Sequence, residues 1–317
     1  MRISPRKKIV MYFKKERPGN DPFFKFGKKR NVYRYFFEKG RDLGFDMYLA
    51  SGPEAYRGGL SFNDPAFFNG NEFAKTQGTI IADAIYDRSG GISFPAKEMD
   101  GKVLNCSDFK ILCNDKNKMY EYFGQFMPKS FELKKTDKFQ EVLNGFREDE
   151  LAVLKPAKGL GGKGIIIDKV SELRKTNLDP GNEYVIQDFI DTSCGIEGLS
   201  NGRHDLRVVI VNGKTVLSHI RTPREGSYLA NASQGGSIKE VPLEKIPQEI
   251  MDVAEKIKTI VDEKFQKPVY SIDFGMTRNG PYVFELNDQI GFPSDDMRNH
   301  KSFIDGLLDS LTILSDK

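Results

Sequence analysis

The chain has 317 residues, 38% hydrophobic and 29% charged, with a net charge of +3. That balance excludes disordered and fibrous classes and gives a soluble globular protein with core enough for two or three subdomains. Three widely spaced cysteines (Cys106, Cys113, Cys194) exclude a disulfide framework and a zinc site, and the apolar run 9–13 is too short for a signal peptide or membrane span.

Residues 1–41 carry fourteen Lys and Arg against three Asp and Glu, a local balance of +11 that leaves −8 for the remainder. Aromatic residues interleave this run (Phe23, Phe24, Phe26, Tyr33, Tyr35, Phe36, Phe37). A nucleic-acid face is one reading of such a pattern. Burial of the aromatics against a sheet is the stronger one, so nucleic acid is not expected as a partner. Residues 8–13 read as a strand, 32–43 as an amphipathic helix ended by Gly44, and 45–50 as a second strand, a βαβ start. A third strand is expected over 80–86, followed by a loop over 87–91, and a domain boundary near 112. Asn114 is expected to cap a helix that runs to about Phe126, where Met127-Pro128 stops it. Another helix is expected over 136–147, a strand over 184–190 and an irregular loop over 191–203. Asn212-Gly213 marks a hairpin turn, and 244–265 reads as a long helix.

Two motifs carry chemistry. Residues 151–168 form a strand-like run, a glycine loop and a second strand-like run. Gly159, Gly161 and Gly164 match GxGxxG, but that fingerprint must open a helix, and here Ile165-Ile166-Ile167 follows. The loop is instead suited to fold over phosphates as a flap, its backbone N–H groups approaching the oxygens, with Lys155 and Lys158 or Lys163 supplying positive charge. The second motif is the hairpin 270–288. A three-residue loop, Arg278-Asn279-Gly280, pairs Thr277 with Pro281 and sets Asp273 opposite Glu285. Asn287 then leaves the same face as Glu285. Asp273, Glu285 and Asn287 form a hard, incomplete oxygen set of the kind Mg2+ accepts when phosphates complete its shell. A two-residue loop would turn Asp273 to the other face, so the reading depends on register.

Read in order, Lys116 in NDK, Lys155 with the glycine loop, Gln187 to Ile190 in VIQDFI, Asp205 and Arg207 in HDLRVVIVNGK, Arg221 with Asn231, Gly235 and Gly236, and finally Asp273, Glu285 and Asn287 resemble the ATP-grasp superfamily. The resemblance is closest to its glutathione-synthetase and RimK-type ligases, and covers about 113–293. It implies a mixed α+β and α/β architecture. An N-terminal α/β domain (1–112) precedes two α+β subdomains that clasp ATP, one with the glycine flap (113–188) and one with the metal hairpin (189–317).

By the same resemblance, Lys116, Lys155, Gly159, Gly161, Gly162, Lys163 and Gly164 meet phosphates. Gln187, Asp188, Phe189 and Ile190 line adenine, and Asp205 or a nearby acid accepts from the ribose. Two Mg2+ ions, with Mn2+ as a substitute, sit on Asp273, Glu285 and Asn287. Arg221, Arg207 and Asn231 serve catalysis. The implied activity is an ATP-dependent carboxylate–amine ligase that forms an amide through an acyl phosphate, acting on small-molecule or peptide substrates. An ATP-grasp kinase acting on a hydroxyl, and a non-catalytic nucleotide-binding regulator, are the alternatives. The basic N-terminal segment is expected to face ATP or an anionic substrate. A cytoplasmic location with no membrane partner is expected, and a homodimer and a tetramer both stay open.

Overall fold

A computed structural model describes residues 5–89, 99, 101–159, 161–230 and 235–317. Strand β1 (Lys8–Phe13) leads through helix α1 (Arg30–Asp42) into β2 (Asp46–Ser51). Helix α1 buries Val32, Tyr33, Phe36, Phe37 and Gly40, a stripe at helical spacing that holds it to the sheet. It stops at Gly44, whose φ of +93° lets Gly44 N–H donate to Arg41 O and Phe45 N–H to Gly40 O. Four short strands follow, β3 (Tyr56–Gly58), β4 (Ser61–Asn63), β5 (Ala66–Phe68) and β6 (Phe73–Ala74), then β7 (Thr79–Ile81) and β8 (Ala84–Asp87). The strand expected over 80–86 is thus two. Strand β7 belongs to a small β3-β4-β7 sheet, and β8 to the sheet ordered β6-β5-β2-β1-β8. At the break, Asp83 N–H donates to Lys8 O, and Asp83 Oδ2 accepts from Lys8 N–H at 2.7 Å, so the chain changes sheets there. Within the larger sheet β1 runs parallel to both β2 and β8.

Helix α2 (Ser107–Asn114) is followed directly by α3 (Lys116–Phe123). The cap of the second helix is Asp115, not Asn114: Asp115 is extended and its carboxylate accepts from the N–H groups of Asn117 and Lys118. A four-stranded sheet, ordered β11-β10-β12-β9, comes next, from β9 (Ser130–Leu133), β10 (Leu151–Pro156), β11 (Ile166–Lys169) and β12 (Tyr184–Asp188). Its helices are short, α4 (Phe139–Leu143) and α5 (Val170–Leu173). The helix expected over 136–147 is therefore one turn of 3-10 helix and five α-helical residues, and the strand expected over 184–190 stops at Asp188. This sheet has its own core around Leu133, Leu143, Leu154, Leu173 and Ile186.

The last sheet is ordered β15-β14-β13-β16-β17, from β13 (Asp205–Val211), β14 (Lys214–Thr222), β15 (Ser237–Glu240), β16 (Tyr270–Thr277) and β17 (Gly280–Asn287). Asn212 and Gly213 both take positive φ in the β13–β14 turn, as their type predicts. Helix α6 (Gln248–Phe265) begins later than the expected 244 because Pro247 takes the cap position. It packs on one face of the sheet with α2 and α3. Helix α7 (His300–Ser315) joins the other face to α1 and the N-terminal sheet in one continuous core.

The β16–β17 register differs from the expected one. The strands pair from Thr277 and Gly280, a two-residue loop, which alone would put Asp273 on the wrong face. A β-bulge between Asp273 and Phe274 takes up the slip: Phe274 pairs with Val283, yet Asp273 pairs with Glu285, leaving Phe284 as the extra residue. The acids face each other for a different reason than the turn suggested.

Candidate active site

The four-stranded and five-stranded sheets meet across a cleft. Lys116, Lys155, Gly162, Gln187, Asp188, Phe189, Ile190, Asp205, Asp273 and Glu285 all line it, ten of the residues singled out in the sequence. Lys155 is buried on β10 and donates from Nζ to Gln187 Oε1 at 2.8 Å. Gln187 in turn donates to Ser130 Oγ at 2.6 Å, so the lysine is aimed by a neutral chain. Burial lowers its pKa to about 8, with Glu285 opposing and Lys116 adding to the shift. Lys116 stands at the first turn of α3, where its Nζ donates to Gly159 O at 3.0 Å, and burial lowers its pKa as well. Gly159, Gly161, Gly162 and Gly164 all have positive φ, a backbone path that side chains resist, which is why this loop is glycine. Of these, Gly162 lines the cleft. Lys163 is exposed in the same turn, and Lys158 points outward to Glu183.

On the opposite wall lies a closed network of charge. Arg207 grips Asp273 with Nε and Nη2, both at 2.6 Å. Arg221 Nη2 donates to Asp273 Oδ2 at 2.6 Å and also to Asp205, whose second oxygen accepts from Arg221 Nε at 2.9 Å. The order of β14, β13 and β16 creates this cluster, because Asp205 pairs with Arg221 and Arg207 with Asp273 across adjacent strands. Burial pushes Asp273 up, but the two guanidinium groups overcome it and hold the carboxyl well below its usual range. Asp205, buried beside the Asp273 charge and sharing Arg221, is raised to about 7. His219 lies behind them, and burial with the nearby Arg207 and Arg221 lowers its pKa to about 3, keeping it neutral.

Asn287 Nδ2 donates to Asp273 Oδ2 at 3.3 Å and to Glu285 Oε1 at 3.2 Å, so both carboxylates converge on one donor. Among the described residues no three His, Cys, Asp or Glu side chains converge on a metal position, and the amide is the third member. The two carboxylates, with Asp273 Oδ1 accepting among the described residues only from Arg207 Nε, fit a hard divalent cation that shares its shell with phosphates; Asn287, which here turns Nδ2 to both acids, would join them through Oδ1 only with its amide reversed.

Arg207 and Arg221 do not line this cleft. They line a second one on the far side of the network, beside His219, Lys29 and Phe292. Asn231 lies outside the described residues. The sequence reading missed Phe284 and the rim formed by Arg203, His204 and Tyr228, all of which line the first cleft. Arg203 sits 4.7 Å from the Tyr228 ring centroid, and Phe189 meets Tyr228 edge-on. Glycine at 275 is the residue type the Phe284 ring requires, since a Cβ there would collide with that ring.

No helix among the described residues is long and apolar enough to cross a membrane. A protein from Maridesulfovibrio salexigens named "Probable alpha-L-glutamate ligase" is 28% identical over 143 residues, 44% of this chain and 42% of that protein. One of the same name from Cellvibrio japonicus is 27% identical over the same shares. The match therefore spans less than half the length of these relatives. Among solved structures, D-alanyl-alanine synthetase A from Vibrio cholerae superposes with a TM-score of 0.65 at 12% identity, over 98% of this chain and 99% of that one. The RimK domain ATP-grasp protein from Sphaerobacter thermophilus gives 0.57 at 13%, over 98% of each chain. At such identities the likeness shows the fold, which is ATP-grasp. The model of the RimK-like ATP-grasp domain matches residues 126–306, more than half the chain, and the protein belongs to that family.

Proposed function

We propose that the protein is an ATP-dependent carboxylate–amine ligase. A substrate carboxylate oxygen bonds to the γ-phosphorus of ATP and ADP leaves. An amine then attacks the acyl carbon, phosphate leaves, and the amine proton passes to solvent, giving an amide. The observation that carries this reading is the position of Arg207 and Arg221 between two clefts. Through Asp273 they touch the wall of the nucleotide cleft, and they line the second cleft. A carboxylate arriving from that side meets two preorganised guanidinium groups beside the phosphates, and they can stabilise charge that develops at the acyl oxygen.

Lys155 and Lys116 neutralise phosphate charge, and the glycine turn closes over the phosphates. Apolar Val153, Ile165, Ile167, Phe284 and Phe189 offer a wall for a base, and the 187–190 segment gives it a hydrogen-bonding edge. Mg2+ held by Asp273, Glu285 and Asn287 would neutralise charge on the β- and γ-phosphates. A second ion, Mn2+ as a substitute, a ribose contact at Asp205, a substrate role for Asn231 and a cytoplasmic location belong to the same proposal. So does the division at 112 and 188, supported by the sheets, none of which takes strands from two parts. The names of the relatives make L-glutamate the first amine to try.

Hydroxylamine traps acyl phosphates as hydroxamates. ATP, Mg2+, hydroxylamine and a panel of carboxylic acids should yield ADP and hydroxamate with at least one acid. A stable phosphate ester in place of hydroxamate would establish the kinase alternative, and nucleotide binding with no turnover across the panel would favour the regulator.

A further inference from the structure

Beyond the arginine network the second cleft runs on under the N-terminal sheet. Its two halves share Lys29, Gly291 and Phe292. A Cβ on Gly291 would lie 3.4 Å from Lys29 Nζ, so this glycine leaves the ammonium room at the junction. The inner half holds Arg207 and Arg221 with two acids, and both acids are engaged. Asp296 pairs with Lys28 at 2.5 Å, and Glu240 accepts from Arg298 N–H at 2.9 Å. The outer half is lined by Lys14, Lys15, Arg17, Lys29 and Arg88 with no acid among the described lining residues.

Two of these cations have donors waiting. Arg17 Nε and Arg88 Nε are buried and have no hydrogen-bond partner among the described residues. An unsatisfied buried donor is costly, more so on a charged group. Arg17 is fixed in place by stacking, its guanidinium carbon 4.0 Å from the Phe13 ring centroid and 4.3 Å from that of Phe26. Partial burial and the neighbouring Arg88 lower the pKa of Lys29, whereas Tyr86, Tyr33 and Asp87 raise that of Arg88 against its burial. The location agrees. Strand β1 has β2 on one side and β8 on the other, so the chains leaving the carboxyl ends of β1 and β8 diverge there, the place where open parallel sheets bind ligands.

We propose that the acid substrate carries at least two anionic groups: the reacting carboxylate lies at Arg207 and Arg221, and a second carboxylate or phosphate is held by Arg17, Lys29 and Arg88. This rests on the ligase reading and names its substrate class. The probes are acids matched in chain length (butyrate with succinate, pentanoate with glutarate, hexanoate with adipate), and 3-phosphonopropionate. Each is titrated by calorimetry into the full chain saturated with ADP and Mg2+. At least one diacid should bind tenfold or more tightly than its matched monoacid, and Arg17→Met and Lys29→Met should each remove that advantage. Tighter binding of phosphonopropionate than succinate assigns the distal group as phosphate, and the reverse as carboxylate. Equal affinity within every pair, no binding by any diacid, or an advantage that survives both substitutions overturns the proposal. Lys29 is exposed, so its variant carries the test if Arg17→Met fails to fold. Binding is read without turnover. A diacid that binds as expected yet gives no hydroxamate would sink the ligase reading and leave the anion site standing.

Discussion

The two sheets facing each other across the first cleft hold buried charge in opposite ways. On the four-stranded side Lys155 rests against the neutral Gln187, so its charge is aimed and only partly offset by Glu285. On the five-stranded side Arg207, Arg221, Asp205 and Asp273 close on one another. One wall is poised to gain from an arriving anion. The other is charge-balanced before anything arrives, and its two guanidinium groups are held in fixed geometry for the carboxylate proposed to reach them from the second cleft. Binding and orientation are thus built from the same kinds of side chain, separated by whether each finds its counter-charge within the fold.

The sharpest way to break this contrast is to remove the acid shared by both arginines. Asp273→Ala leaves Arg207 without its carboxylate and Arg221 with Asp205 alone, and should cost about 3 to 5 kcal/mol of folding stability in urea denaturation. A loss below about 1 kcal/mol would mean the network is not closed as described. Glu285→Gln tests the same wall without opening it, because Glu285 has no guanidinium partner among the described residues. Turnover at saturating Mg2+ should fall below about a tenth of wild type, a change of more than about 1.4 kcal/mol in the barrier, with the urea midpoint unchanged.

Lys155→Met tests the opposite wall. Burial holds the folded pKa near 8, below the ordinary lysine value of 10.5. The unfolded chain therefore takes up the proton first as pH falls, and the penalty to folding grows from about pH 10.5 down to 8 and is full below that. Removing the charge should stabilise the fold by about 1 to 3 kcal/mol at pH 7 and weaken ATP binding at least tenfold, by about 1.4 kcal/mol. A stability gain at pH 7 that is undiminished near pH 11 would contradict the electrostatic origin. The smallest effect is expected at the flap: the amides of Gly161, Gly162 and Gly164 should exchange more slowly with an ATP analogue bound, and equal exchange with and without it would remove the flap from the site.

Local chemistry made much of this legible. Glycines with a required backbone path, an Asn-Gly turn and carboxylates two apart on a strand announce themselves within a few residues. The pairing of Arg221 with Asp205 did not, since it depends on how β13 and β14 align. Nor did the second cleft, where Lys29 meets Gly291 from the far end of the chain and no spacing rule applies. The hairpin reading reached the right pair of acids through the wrong loop, because periodicity assumes one residue opposite one, and a bulge breaks that rule without leaving a polar or turn-forming residue behind.

That bulge has a consequence for how the site can change. Phe284 and Glu285 are consecutive, yet both reach the cleft, so the apolar wall and the acid stay in phase with each other only while the segment keeps its residue count. Gly275 secures the arrangement by having no side chain: a Cβ there would collide with the Phe284 ring and lie 2.7 Å from Thr192 Cγ2. The hairpin can therefore accept many changes of spelling between residues 274 and 284, but a gain or loss of one residue would turn the acid away from its partners even if every functional group survived.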